Sequence, residues 1–312
     1  MADITASMVK ALREKSGAGM MDCKAALTET GGDMEAAIDW LRTKGLATAA
    51  KKAGRVAAEG LVGVVTPAKS GGKSGAMVEV NSETDFVARN EKFQQLVGQI
   101  TDLAADANGD IDTLLDMPYP GAGKSVRDHV TAMIATIGEN MNVRRAAALS
   151  VEAGVVVSYV HSQIAPGLGK IGVLVGLESN GDAERLAELA KQIAMHVAAT
   201  NPYAVTTDAL DAAVIARERA VLTAEAKESG RPDNIIEKMV DGRMRKFFEE
   251  VVLLSQSFVV DSEKTVEQAI KAAEADIGAP VKVIGFVRFA LGEGIEKEEA
   301  DFAAEVAAAV RS

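Results

Sequence analysis

The sequence predicts an α+β protein with three parts: a small N-terminal three-helix bundle, two related core subdomains that each join a strand hairpin to a helix, and a projecting helical hairpin. Three observations predict it. Apolar residues recur at helical spacing through the first 45 residues, between Gly- and Asp-containing stops. At Gly60 the period changes to that of strands, and the order strand, strand, helix recurs from Gly154. Residues 208–254 form two helical stretches that meet at Gly230-Arg231-Pro232-Asp233, where Gly ends one helix and Pro starts the next.

Each element follows from local chemistry. Thr5 or Ser7 can cap a first helix carrying Met8, Val9 and Leu12, and Gly17-Ala18-Gly19 ends it. A second helix is expected from about Asp22 to Thr30. Gly31-Gly32-Asp33 stops it and caps a third, in which Ile38 and Leu41 share a face and Gly45 takes the C-terminal left-handed position. Strands at residues 61–65 and 76–80 flank a Gly/Pro/Ser turn. A helix at 91–105 follows, with Phe93, Leu96, Val97, Ile100 and Leu103 at helical spacing. Strands at 155–160 and 171–177 flank a loop at 162–170, and an amphipathic helix at 182–200 carries Leu186, Leu189, Ile193 and Val197. The long hairpin needs the protein's body or a partner over its apolar stripe. Strands at 258–260 and 281–287, a helix at 265–275 between them and a short helical tail at 296–312 complete the reading. The expected domains are 1–55, 56–150, 151–295 with the hairpin 208–254 inside it, and the tail 296–312.

Composition narrows the function. Of 312 residues, 45 are acidic and 34 basic, a net charge of −11. Phosphate backbones repel so acidic a body, and aromatics at 4% offer few base-stacking surfaces, so nucleic acid is not an expected partner. Residues 1–60 hold nine basic and eight acidic side chains, so the rest carries −12. That shift marks the N-terminal unit as a separate module. Cys23 alone cannot form an internal disulfide, and His129, His161 and His196 show no metal spacing. No apolar run is long enough to cross a membrane, and a cytoplasmic protein without membrane contact is expected.

No motif points to an enzyme, and no cofactor is expected. Gly167-Leu168-Gly169-Lys170-Ile171-Gly172 matches a dinucleotide fingerprint, but a strand follows where a helix must open, so a hairpin loop is the better reading. Gly121-Ala122-Gly123-Lys124-Ser125 and Gly72-Lys73-Ser74 lack the leading glycine of a P-loop, having Pro118 and Pro67 there. Thr84-Asp85-Phe86-Val87 is more informative. It joins a strand to a helix, the kind of connection that carries function on a rigid scaffold. Phe86 reads either as an exposed wedge or as a core residue continuing the phase of Val78 and Val80. Met20-Met21 likewise reads as an adaptable binding surface or as core filler.

Six motifs in order resemble one family along the whole chain, that of bacterial translation elongation factor Ts. They are Ile4-Thr5-Ala6-Ser7 with Leu12-Arg13 and the segment from Ser16 to Leu27; Glu79-Val80-Asn81 with Thr84-Asp85-Phe86-Val87-Ala88; Ile137-Gly138-Glu139-Asn140; Arg144-Arg145; Ala194-Met195-His196-Val197-Ala198; and Gly294-Ile295-Glu296-Lys297. The resemblance implies a guanine nucleotide exchange factor for elongation factor Tu, not an enzyme. It implies a ubiquitin-associated-like N-terminal bundle that docks on the GTPase domain and a hairpin that serves dimerisation. Residues Thr84, Asp85, Phe86 and Val87 would form a wedge that disturbs the partner's magnesium site. Arg13, Met20 and Met21 would touch the partner from the bundle, and His161 from the core. The competing reading is a scaffold that dimerises through residues 208–254 and leaves nucleotide release unchanged.

Overall fold

The computed structural model describes residues 4–16, 18–68 and 71–296. The helical tail expected at 296–312 lies almost wholly outside them. The first helix, α1 (Ala6–Ser16), begins where the Thr5 hydroxyl accepts the Met8 N–H at 3.3 Å. Helix α2 is Met20–Glu29, and α3 is Met34–Lys52 with the Asp33 carboxylate accepting the Ala36 N–H. Leu12, Cys23, Ala26, Leu27 and Ala37 form the buried centre of this bundle. The expected helix stop at Gly45 is corrected: α3 runs through it to Lys52. Gly45 serves packing instead. A Cβ there would lie 3.2 Å from the Cβ of Ala135 on α7 (Val126–Ile137), so glycine lets two helices approach. The Lys52 ammonium then donates to the Gly138 carbonyl, at the negative end of α7.

The sheet is antiparallel and six-stranded. Its path runs β3 (Met141–Ser150), β2 (Ser74–Ser82), β1 (Glu59–Val65), β5 (Leu168–Glu178), β4 (Gly154–Ala165). Strand β1 meets β5 only at Val62–Gly169 and Gly63–Leu168. Beyond that point β8 (Lys282–Ala290) takes the place beside β5, from Ile171 to Glu178. The two expected hairpins therefore merge into one forked sheet. Gly60 and Gly154 open them with the same geometry, at φ of +121° and +140°. A Cβ at Gly60 would lie 2.2 Å from the Val80 carbonyl oxygen, and one at Gly154 would lie 2.0 Å from that of Leu177. Only glycine fits either place, which supports the repeat.

Helices cover the sheet in two groups. Helices α5 (Glu91–Asp106), α6 (Ile111–Asp116) and α7 pack on β1, β2 and β3 around Phe93, Leu96, Ile100, Leu114 and Val126. Helices α8 (Ala183–Thr200) and α11 (Val266–Ile277) pack on β4, β5 and β8 around Leu177, Leu186, Ile193 and Val266. Val62, Val64, Met77, Val156, Leu174 and Phe289 fill a third cluster, where the two parts of the sheet meet. The stretch expected as a loop at 162–170 is strand on both sides of a tight turn at Pro166-Gly167. The strand expected at 258–260 shrinks to β6 (Ser257–Phe258). It pairs with β7 (Asp261–Thr265), leaving Val259 and Val260 in the turn.

The helical hairpin is α9 (Ala212–Lys227) and α10 (Asp233–Val251). Its apolar stripe is covered from within: Ala226, Ile236, Val240 and Met244 are buried between the two helices, with Leu222 and Phe248 beside them. A polar cluster ties its base to α8. Buried His196 accepts the Val259 N–H on Nδ1 at 3.2 Å, so its Nε2 carries the proton and donates to Gln256 Oε1 at 2.8 Å. The Gln256 amide donates in turn to the Glu250 carbonyl at 2.6 Å. Burial lowers the His196 pKa from its usual 6.5, outweighing the opposing Gln256 bond, and His129 is lowered by burial and by Lys124. A histidine held neutral stabilises the fold above its unfolded pKa. That contribution is lost as pH falls through the folded value. The fall in melting temperature from about pH 7 to about pH 5.5 should therefore shrink in a His196→Gln variant. An unchanged acid slope would contradict this.

Candidate functional site: an exposed Asp-Phe turn

Strand β2 ends at Ser82, and one helical turn, α4 (Asp85–Ala88), follows before α5. Local hydrogen bonds fix this short connection. The Ser82 hydroxyl donates to the Thr84 carbonyl at 3.0 Å, and the Asn90 N–H donates to the Val87 carbonyl at 2.9 Å. Asn90 caps α5 by accepting the Lys92 N–H, and the Gln94 amide donates to the Ala88 carbonyl. The turn buries Val87 and Ala88 in the core under α5. Asp85 is exposed, and Phe86 is 77% exposed. The core alternative for Phe86 is thereby corrected. Strand alternation stops at Ser82, and the helical turn changes the phase, so Val87 points inward and Phe86 outward. A phenylalanine so bare gains nothing for folding from its ring.

A second turn, just before β3, faces this one. The Thr84 N–H and hydroxyl both donate to the Glu139 carboxylate, at 2.9 and 2.6 Å. Glu83 accepts the Asn140 N–H at 2.5 Å and the Arg55 guanidinium at 3.3 Å. The Asn140 side chain donates to the Arg55 carbonyl at 2.7 Å. The Asp-Phe turn, the start of β3 and the link from bundle to core are thus laced together. Sequence reasoning placed Glu139 and Asn140 in a motif but gave them no role.

Glu79, further back on β2, is fully buried. Its carboxylate receives Arg145 Nε at 2.6 Å, Gly292 N–H at 2.8 Å, the Asn81 amide at 3.0 Å and Arg144 Nη1 at 3.1 Å. Burial alone would raise its pKa. The bonds from Gly292 and Asn81 and the Arg145 charge outweigh it and hold the group below its usual 4.5. Arg145 also lies over the Phe289 ring, 4.2 Å from its centroid. This ion cluster joins β2 and β3 to the chain after β8.

The remaining sequence candidates lie on other elements. Arg13 is exposed on α1, and Met20 and Met21, at 57% and 77% exposed, open α2. The core-filler alternative for the methionine pair is corrected, because Leu12, Cys23 and Leu27 already fill the bundle. His161 is exposed on the edge strand β4, its Nδ1 3.2 Å from the Tyr159 hydroxyl. Arg13 lies on α1, Met20 and Met21 on α2, Phe86 on α4 and His161 on β4. They are separate exposed points on the surface.

The glycine motifs behave as loops. The run from Gly167 to Gly172 is a hairpin turn and strand β5, with no helix opening there. Ser125 caps α7 by accepting the Asp128 N–H, but α6 precedes the motif and no strand does. No three His, Cys, Asp or Glu side chains among the described residues are grouped to hold a metal ion. No helix among them is long and apolar enough to cross a membrane.

Comparison with known proteins adds a family. The family described as Elongation factor TS matches residues 83–293, a span that contains Thr84, Phe86, Glu139 and His161. A protein of Parvibaculum lavamentivorans named Elongation factor Ts is 71% identical over 311 residues, covering 100% of both chains. One of the same name from Rhizobium leguminosarum bv. trifolii is 61% identical over 311 residues, again 100% of both. A third, from Rhodospirillum centenum, is 60% identical over 307 residues, 98% of this chain and 99% of the relative. With a family match over more than half its length and full-length likeness to such relatives, the chain belongs to the elongation factor Ts family.

Proposed function

We propose that this chain releases GDP from elongation factor Tu by inserting the Asp85-Phe86 turn beside the partner's magnesium and phosphate site. The coarser role, nucleotide exchange on elongation factor Tu during translation elongation, goes with the family. The observation that carries the finer reading is Phe86, a ring 77% exposed on a turn whose neighbours Val87 and Ala88 are anchored in the core. Mg²⁺ demands near-ideal octahedral geometry, so a small shift of its ligands costs much of the nucleotide's affinity. Coupling is reciprocal: a factor that prefers the nucleotide-free partner must weaken the nucleotide equally. No bond in the nucleotide is made or broken.

In this reading residues 1–55 dock on the GTPase domain through Arg13, Met20 and Met21. The core halves, 56–150 and 151–295, present the wedge and His161. GTP rebinds once GDP has left. The test is release of a fluorescent GDP analogue from elongation factor Tu. Release should accelerate as the factor is added, and an unchanged rate at saturating factor would sink the proposal. A thermal shift of this chain alone by nucleotide would point instead to a site of its own.

Self-association through residues 208–254 is a second, subsidiary reading. It is supported by Val221 and Ile235, which stay exposed on the hairpin although its stripe is covered within. Ile235→Glu should then shift the sedimentation of any dimer toward monomer. The same sedimentation profile for both proteins would remove the hairpin from the interface.

A further inference from the structure

Two carboxylates on facing turns hold each other's backbone. Glu83, next to Thr84, accepts the Asn140 N–H at 2.5 Å. Glu139, next to Asn140, accepts the Thr84 N–H at 2.9 Å and the Thr84 hydroxyl at 2.6 Å. Bonds to an ionised acceptor are about twice as strong as neutral ones. Thr84 occupies the N-cap position of α4, where a hydroxyl ordinarily accepts an N–H of the helix's own first turn. It makes no such bond. Its hydroxyl is turned to Glu139 instead. A local cap would steady α4 wherever the turn moved, whereas Glu139 ties α4 to the start of β3.

That tie sits two residues before Phe86. On the other side of Phe86 only Val87 and Ala88 are buried, so one edge of the turn is packed and the other is held by Glu139. We propose that Glu139 is the positioning residue of the wedge, fixing the direction in which Asp85 and Phe86 meet a nucleotide-binding partner. The inference rests on the wedge reading above. A turn held in its productive direction loses no binding energy to ordering on contact. Without the clamp, docking through other surfaces persists, but fewer encounters insert the ring. The maximal rate of nucleotide release falls, while the half-saturating concentration moves little.

Glu139→Gln keeps the size of the side chain but sets an amide N–H₂ against one of the two Thr84 donors. It should melt cooperatively, exchange the Thr84 amide hydrogen faster and lower the maximal GDP-release rate about tenfold, the rate equivalent of one charge-assisted hydrogen bond. In a Phe86→Ala background Glu139→Gln should cost little more, because it acts through that ring. Wild-type release by a folded Glu139→Gln protein would overturn the proposal. So would an equal loss in the Phe86→Ala background, which marks a general structural role. If Glu139→Gln does not fold, Thr84→Val, which removes only the hydroxyl bond, carries the same comparison. A Phe86→Ala protein that releases GDP as wild type does, with Glu139 intact, would remove the wedge reading itself.

Discussion

Phe86→Ala is expected to leave the melting temperature almost unchanged and to lower the maximal rate of GDP release roughly thirtyfold, the equivalent of about 2 kcal/mol for an interface hot spot. The first half follows from exposure. A ring that is 77% exposed leaves no cavity when removed, and surface substitutions of that kind stay within about 0.5 kcal/mol. The second half follows from the partner. An aromatic side chain desolvated in a pocket is the typical residue whose truncation dominates a protein contact. Phe93 is the natural control. It lies seven positions along the chain, in α5, and is fully buried in the core. Phe93→Ala should cost about 3–5 kcal/mol of stability by leaving a cavity. If Phe86→Ala instead behaves like Phe93→Ala in a melt and releases GDP normally per folded molecule, the wedge account fails.

A second large effect on stability is expected at Glu79. Removing one partner of a buried ion cluster commonly costs about 3–5 kcal/mol, because the opposite charge is left uncompensated. Arg144 and Arg145 are each partly exposed and can regain some water, so Glu79→Ala should fall near the lower end, about 3 kcal/mol. Urea denaturation measures it as a lower midpoint at unchanged slope. The pH dependence has a definite sign. The folded pKa is lowered, so Glu79 stabilises fully above the ordinary value of 4.5, and the contribution is lost as pH falls through the folded value. The variant should lack that part of the acid transition. A midpoint within error of wild type would show that the cluster is not what joins β2, β3 and the chain after β8.

Much of this architecture could be read in the sequence where the physics is local. Helices α5 and α8 announce themselves by apolar spacing, and Gly60 and Gly154 by the change to strand period. The helical hairpin is legible from Gly230 and Pro232. Features that depend on distant contacts were not legible. Gly45 looks like a helix end until α7 is seen against it. Strand β3, Met141–Ser150, carries two arginines and three alanines, so its strand character comes from pairing with β2 and from Glu79 rather than from propensity. Helices α6 and α7 also went unread.

The candidate site divides the same way. The Thr84-Asp85-Phe86-Val87 segment stood out as a strand-to-helix connection, but its exposure did not. Alternation from Val78 and Val80 carries Phe86 inward only if the strand continues, and a single helical turn decides otherwise. The Met20-Met21 pair was equally ambiguous, since nothing local tells a surface methionine from a core one. Glu139 stands 55 positions from Thr84, too far for any pattern in the sequence to join them.

The central claim is that Phe86 reaches the nucleotide site of elongation factor Tu. A photoreactive benzoylphenylalanine placed at position 86 tests it most directly. Irradiated with elongation factor Tu, it should crosslink to the GTPase domain beside the magnesium and phosphate site, and an excess of GDP with Mg²⁺ should suppress the crosslink. Crosslinks confined to other parts of the partner, in a complex that still exchanges nucleotide, would contradict the account.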